Sequence, residues 1–152
     1  VAIRLLARRD QTVQELRQGL ARRGYPGEQV GAVIARLTSA GYLDDLSLAR
    51  NWIHTRSPRR LLGPARVRQE LRARGVGDAE ITTALNELLA ERSVRDVADE
   101  AAARRLQTLR GLPAAVARRR LAAYLERRGF ARTVILAVCQ SHFPDLDGLE
   151  PE

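Results

Sequence analysis

The sequence predicts an all-α fold in which three tandem three-helix repeats stack into an elongated, curved array. Three observations predict it. Apolar residues recur at helical spacing almost everywhere, and no stretch shows the sustained two-residue alternation of a half-buried strand. A six-residue word returns three times, as LARRGY at 20–25, LRARGV at 71–76 and LERRGF at 125–130, spaced 51 and 54 residues apart. Around its glycine the same apolar positions also return. Leu16 and Leu20 precede Gly24, Val67 and Leu71 precede Gly75, and Leu121 and Leu125 precede Gly129. Val30 and Ile34, Ile81 and Leu85, and Ile135 and Cys139 follow at six and ten residues. Each pair is a four-residue step on one helical face, so each copy ends in helix, glycine turn and helix.

The first copy spans 1–44. It opens with a helix over 1–8, then Thr12 and Glu15 form a capping box for a helix from Val13, which ends at Gly24. A left-handed backbone is cheapest for glycine there, and the preceding arginines suit the negative end of the helix dipole. The second copy, 45–91, begins with a helix over 46–56 that Asp44 or Asp45 caps, followed by a loop marked by Ser57-Pro58 and Gly63-Pro64. Pro64 suits a first helical position, as Pro113 does in the third copy, because neither needs an N–H there. The third copy, 92–143, starts after Ser93 with a helix over 94–109. Residues 144–152, FPDLDGLEPE without its Phe, are expected to form an acidic flexible tail. A unit of about 50 residues with few aromatics is marginal alone, which is why the copies are expected to pack end to end.

Charge narrows the function. All 26 basic residues are arginine, and against 18 acids they leave +8. The absence of lysine reads as genomic bias rather than arginine chemistry. The first copy holds seven arginines and four acids, the second eight and six, the third eleven and four, and the tail none and four. The excess therefore concentrates in the third copy and points to an anionic partner, with nucleic acid the natural one. With 45% hydrophobic residues and no apolar run near the ~20 residues of a membrane span, the expectation is a cytoplasmic protein without membrane contact. The sequence opens on Val1, so it is expected to begin inside a longer reading frame.

No convergent catalytic set is visible, and the expectation is a protein that is not an enzyme and needs no metal or cofactor. His54 and His142 are isolated, and Cys139 replaces Ile34 and Leu85 in the repeat, a place for a small core side chain. A phosphate-cradling GxxxxGKS/T loop cannot exist without lysine. Leu48, Ala49, Trp52 and Ile53 make a core stripe. The binding candidates are basic. Arg120, Tyr124 and Arg128 fall at four-residue steps on one face, flanked by Arg119 and Arg127. That face reads either as an aromatic between two guanidinium groups facing nucleic acid or as a tyrosine at the core edge beside solvated arginines. Arg68 and Arg72 in the second copy, with Arg59 and Arg60 in its loop, are further phosphate-contact candidates.

The stretch Gly41-Tyr42-Leu43-Asp44-Asp45, followed by Leu48-Ala49 and Trp52-Ile53, resembles the signature GYLDD-x-x-FA-x-x-Y-[VI] of the bacterial RecX regulatory family. Leu48 stands for the usual Phe and Trp52 for the usual Tyr. The run from Ala2 to Leu16 echoes the family's opening ALxLLxxRxxSxxEL pattern, and Gly63 to Leu71 resembles GxxRIxxEL. The resemblance implies a monomer that binds the recombinase RecA and the RecA–DNA filament. It would inhibit or modulate filament extension, ATPase, strand exchange and coprotease activity in DNA repair and the SOS response. It also implies binding of DNA with little sequence preference, to single strands and with double strands left open. The signature residues themselves read as structure: Gly41 ends a helix, Tyr42 and Leu43 pack between copies, and the aspartates cap. The alternative is a sequence-specific duplex-DNA-binding transcription regulator, since paired helices around a turn can resemble a helix-turn-helix reader.

Overall fold

The computed structural model describes residues 1–146, and these are all-α, with no strand among them. In chain order the helices are α1 (Ala2–Arg8), α2 (Val13–Ala21), α3 (Gly27–Ser39), α4 (Asp45–Thr55), α5 (Ser57–Arg60), α6 (Pro64–Ala73), α7 (Asp78–Glu91), α8 (Val94–Thr108), α9 (Ala114–Arg127) and α10 (Arg132–His142). The short α5 is an addition to the sequence expectation, which left Arg59 and Arg60 in a loop. Ser57 has Pro58 behind it at the first helical turn, where proline is tolerated, and Leu61 ends the turn with φ +50°. Of the acidic tail, Pro144–Leu146 form one 3-10 turn, and residues 147–152 lie outside the described residues. Among the described residues no helix is long and apolar enough to cross a membrane.

The capping chemistry follows the sequence closely. Thr12 accepts from the Glu15 N–H at 3.0 Å while the Glu15 carboxylate accepts from the Thr12 N–H at 3.1 Å, a complete capping box at α2. Ser93 caps α8 by accepting from Asp96 N–H. Pro64 is the first residue of α6, as expected, but Pro113 sits one place earlier than expected, at the N-cap of α9. Each of the three repeated glycines closes its helix in the same way. The glycine N–H reaches the carbonyl three residues back, and the next N–H reaches the carbonyl of the repeated leucine: Tyr25 to Leu20, Val76 to Leu71, Phe130 to Leu125. This is the Schellman pattern, and Gly24, Gly75 and Gly129 hold φ between +83° and +90° to make it.

All twelve apolar repeat positions are buried. The described chain falls into two compact units, one formed by Val1–Thr55 with Arg68–Asn86, the other by Arg56–Val67 with the residues from Glu87 onward. Helices α6 and α7 are each divided between them. The first unit contains a cluster of Leu16, Leu20, Val30, Ile34, Leu37 and Leu43, with Leu5 and Leu6 of α1 laid on it. The second contains Leu121, Leu125, Ile135, Val138 and Cys139 packed on the alanines 98, 101 and 102 of α8. Small residues on α8 let α9 and α10 approach closely, which offsets the scarcity of aromatics. Cys139 is a core side chain, and burial raises its thiol pKa.

Candidate functional site

One structural joint occurs twice, once in each unit. In the first unit the Thr12 hydroxyl, besides capping α2, donates to the Arg74 carbonyl at 2.6 Å. In the second unit Gly63 N–H donates to the Arg128 carbonyl at 2.7 Å, and Ala65 N–H to Gly129 O at 3.2 Å. Thr12 and Gly63 are 51 residues apart, and Arg74 and Arg128 are 54 apart, which is the repeat register. Each joint thus sets the start of one copy's second helix against the glycine turn of the next copy. A Cβ on Gly75 would run into the Gln14 side chain, and one on Gly129 would run into the Arg66 backbone. Nothing lies within 4 Å of the same position at Gly24.

The two joints differ in charge. At the first, the Arg74 guanidinium grips the Glu15 carboxylate through Nε at 2.9 Å and Nη2 at 3.0 Å, with the pair largely buried. Burial alone would raise the Glu15 pKa, but the Arg74 bond and the Thr12 N–H outweigh it and hold the carboxyl below its ordinary value. Asp45 adds a second acid, accepting at 3.0 Å from Val13 N–H, the first donor of α2. Its pKa is raised, first by burial and then by the neighbouring Glu80, Asp44 and Glu15. The paired aspartates of the sequence therefore divide their work. Asp44 alone caps α4, accepting from Ser47 N–H at 3.1 Å and Ser47 Oγ at 2.8 Å, while Asp45 caps α2 from outside.

At the second joint both acids are gone. Glu15 corresponds in register to Arg66, and Asp45, counted from the helix cap, corresponds to Val94. Val13 corresponds to Pro64, which has no N–H to satisfy. Without a carboxylate opposite it, Arg128 donates through Nη1 to the Arg60 carbonyl at 2.7 Å and lies over the Tyr124 ring, 5.0 Å from its centroid. Arg105 of α8 lies over the same ring at 5.3 Å, and its Nε is buried with no hydrogen-bond partner. Residues 56–66 hold four arginines and no acid, and residues 104–132 hold nine arginines and one acid, Glu126.

Measured against this geometry, the sequence candidates separate. Arg59, Arg60, Arg127, Arg128 and Tyr124 belong to the second unit, with Arg119 and Arg120 exposed on the same α9. Tyr124 is half-buried at the core edge, and its cationic neighbours are Arg105 and Arg128. Arg68 and Arg72 instead lie in the first unit with internal partners, Thr82 Oγ1 at 3.1 Å and Asp78 at 2.6 Å. Gly41 ends α3 with φ +78°, Leu43 is core, and Leu48, Ala49 and Trp52 are buried as expected. Tyr42 is a correction: its side chain is 67% exposed rather than packed between copies, because the turn at Gly41 sends Leu43, not Tyr42, inward. Sequence reasoning missed Arg66, Arg74, Glu15's ionic role and Arg105. Extending the repeat register three residues past Thr12 would have exposed the Glu15-to-Arg66 exchange. Among the described residues no group of three or more His, Cys, Asp or Glu side chains could hold a metal.

The family models for the first and second RecX three-helix domains match residues 1–37 and 44–85. The regulatory protein RecX of Halorhodospira halophila is 40% identical over 139 residues, covering 90% of this chain and 82% of that protein. The chain belongs to the RecX family of regulatory proteins. The RecX of Mycobacterium tuberculosis is 36% identical over 141 residues, covering 91% of this chain and 81% of its own length. The fold agrees with two RecX crystal structures. One, from Lactobacillus salivarius, has a TM-score of 0.81 at 17% identity over 92% of this chain and 90% of that one. The other has a TM-score of 0.77 at 23% identity, covering 90% of this chain, which spans 66% of that one.

Proposed function

We propose that this RecX-family chain is a modulator of RecA that acts by binding. It docks on RecA and the RecA–DNA filament as a monomer in the cytoplasm and restrains filament extension, ATP hydrolysis, strand exchange and coprotease activity during DNA repair and the SOS response. The observation that carries the reading is family membership over nine-tenths of the chain, at 40% identity to a regulatory RecX. The reading takes the three copies at 1–44, 45–91 and 92–143 as its working units and residues 144–152 as a tail. DNA contact, with little sequence preference, falls to the arginine-rich surface: Arg59, Arg60, Arg119, Arg120, Arg127 and Arg128, with Tyr124 beneath. Arg68 and Arg72 are weaker candidates because each already bonds to a neighbouring side chain. Several weak contacts on one body add through effective concentration, and this suits docking on a nucleoprotein filament.

The test is a three-strand exchange reaction with RecA and increasing amounts of the chain, paired with electron microscopy of the filaments. The expected result is loss of joint-molecule product together with extra density on the filament or shortened filaments. Full product yield on filaments of unchanged length and appearance at a large molar excess overturns the proposal. Selective binding to one operator sequence would favour the transcription-regulator alternative.

A further inference from the structure

Six large apolar side chains stand exposed among the described residues, and four of them lie together. Val1, Ile3, Tyr25 and Tyr42 line one groove of about 540 Å³ in the first unit, whereas Leu112 and Leu136 belong to the second. Single exposed apolar residues are ordinary, but a contiguous group lining a groove marks a surface that another molecule covers. Ile3 and Tyr42 also line a neighbouring groove of about 560 Å³ that reaches Leu48 and Asn51 of α4. They therefore form a ridge with a hollow on either side. The hollows carry opposite charge: Arg36 is the only charged side chain lining the first, and Asp10 and Asp44 are the only ones lining the second. Hydrogen bonds from Ser47, first its N–H and then its hydroxyl, hold the Asp44 carboxyl below its ordinary value, so it is ionised near neutral pH. Tyr42 is an anchor already in place. Its N–H donates to the Leu37 carbonyl at 2.9 Å, the Leu43 N–H donates to the same carbonyl at 3.3 Å, and Gly41 at φ +78° makes that turn. With its backbone fixed and Leu43 buried beside it, the exposed ring has little freedom left to lose when a partner covers it.

We propose that the Ile3–Tyr42 ridge is a protein-docking surface that takes an amphipathic helix of the partner. The helix lays apolar side chains into the two hollows, with a carboxylate on the Arg36 side and a basic side chain on the side of Asp10 and Asp44. Two hollows flanking a ridge of two side chains suit a helix, whose apolar residues recur a turn apart on one face. The opposed charges fix which way that helix lies and reject one of uniform charge. Nucleic acid is disfavoured here, because Asp10 and Asp44 repel phosphates. The proposal rests on the reading of the chain as one that docks on RecA, and it assigns this part of the first unit to the protein component of the filament.

The experiment measures binding of the fluorescently labelled chain to RecA filaments assembled on single-stranded DNA and, separately, binding of a labelled single strand by the chain alone. The parent is compared with Tyr42→Ala, Tyr42→Phe, Ile3→Ser, Arg36→Glu, Asp10→Lys and Leu136→Ser, the last removing an exposed leucine of the second unit. All fall on exposed side chains, so thermal melts should match the parent's and a lost contact is not mistaken for a lost fold. Tyr42→Ala is expected to weaken filament binding about tenfold or more, and Tyr42→Phe to retain it, since the ring fills the contact. Ile3→Ser, Arg36→Glu and Asp10→Lys should each weaken it about threefold or more. Tyr42→Ala and Ile3→Ser should hold the free strand as the parent does, and Leu136→Ser should stay within about twofold on both measurements. Filament binding by Tyr42→Ala and Ile3→Ser equal to the parent's overturns the surface, as does an equal loss for Leu136→Ser. A parallel loss of free-strand binding by Tyr42→Ala would make the ridge a nucleic-acid contact, and a parent dimer in sedimentation that Tyr42→Ala dissolves would make its occupant a second copy; either overturns the proposal. Unchanged binding by both Arg36→Glu and Asp10→Lys overturns the charges assigned to the partner helix. A parent chain that binds no filament defeats the proposed function itself, an outcome distinct from a parent and variants that all bind alike.

Discussion

The first joint pairs its arginine with a carboxylate, and the second sets its arginine on a carbonyl and an aromatic ring. Both use the same mechanical solution, a hydrogen bond from the start of one helix to the last carbonyl before a left-handed glycine, and both leave no room for a side chain at that glycine. The first adds a largely buried Glu15–Arg74 pair and a second acid, Asp45, on the α2 terminus. The second uses backbone groups, a proline that needs no partner, and Arg128 held on the Arg60 carbonyl and over the Tyr124 ring. Repetition fixes geometry, while the side chain at one register position, Glu15 or Arg66, decides whether the arginine before the glycine meets a carboxylate there.

The comparison breaks first at the glycines. Gly129→Ala is expected to cost about 3 kcal/mol or more, since its Cβ would press on the Arg66 backbone in addition to the left-handed strain. Gly75→Ala should cost about 2 kcal/mol, because the Gln14 amide it meets can swing aside although Gln14 Cβ cannot, and Gly24→Ala about 1 kcal/mol, the strain alone. Urea denaturation of the three variants gives the order, and equal losses at all three would deny that the joints exist. Thr12→Val comes next, losing both the cap and the bond to Arg74 O, for about 2 kcal/mol, with Thr12→Ser recovering most of it.

Glu15→Gln tests the charge in the first joint and should cost about 1–2 kcal/mol near neutral pH. Its sign with pH follows from the lowered pKa of Glu15 in the fold. That contribution is present above the carboxyl's unfolded pKa and is lost as pH falls through the folded one, so parent and variant should converge in acid. Asp45 works in the opposite sense. Its raised pKa means that protonation favours the fold, and stability is lost as pH rises through its folded value. Stability curves at several pH values for Glu15→Gln and Asp45→Asn should therefore slope oppositely relative to the parent. The smallest effect is expected from Arg72→Ala, which removes an exposed pair with Asp78 and should change stability by less than about 0.5 kcal/mol.

How much was legible in the sequence divides by distance along the chain. The Thr12 capping box, the three glycine turns, the buried stripes and the core roles of Trp52 and Cys139 depend on residues a few places apart, and local periodicity is enough to read them. Asp44 and Asp45 were legible as caps, but that they serve different helices required knowing that α4 begins beside α2. The Glu15–Arg74 pair spans 59 residues, and the Arg105–Tyr124–Arg128 stack joins two helices, so spacing on one helix paired Tyr124 with Arg120 and missed Arg105. Tyr42 failed for a related reason. Adjacent residues in a turn point apart, and the pattern alone does not say which of Tyr42 and Leu43 goes in.

The most direct test of the account is DNA-dependent ATP hydrolysis by RecA on single-stranded DNA, followed as the chain is titrated in. The account predicts that the rate falls steadily with added chain and that the fall is smaller at high salt, where arginine–phosphate contacts weaken. A rate that stays at its starting value through a large molar excess of chain, at low salt as well as high, would contradict it.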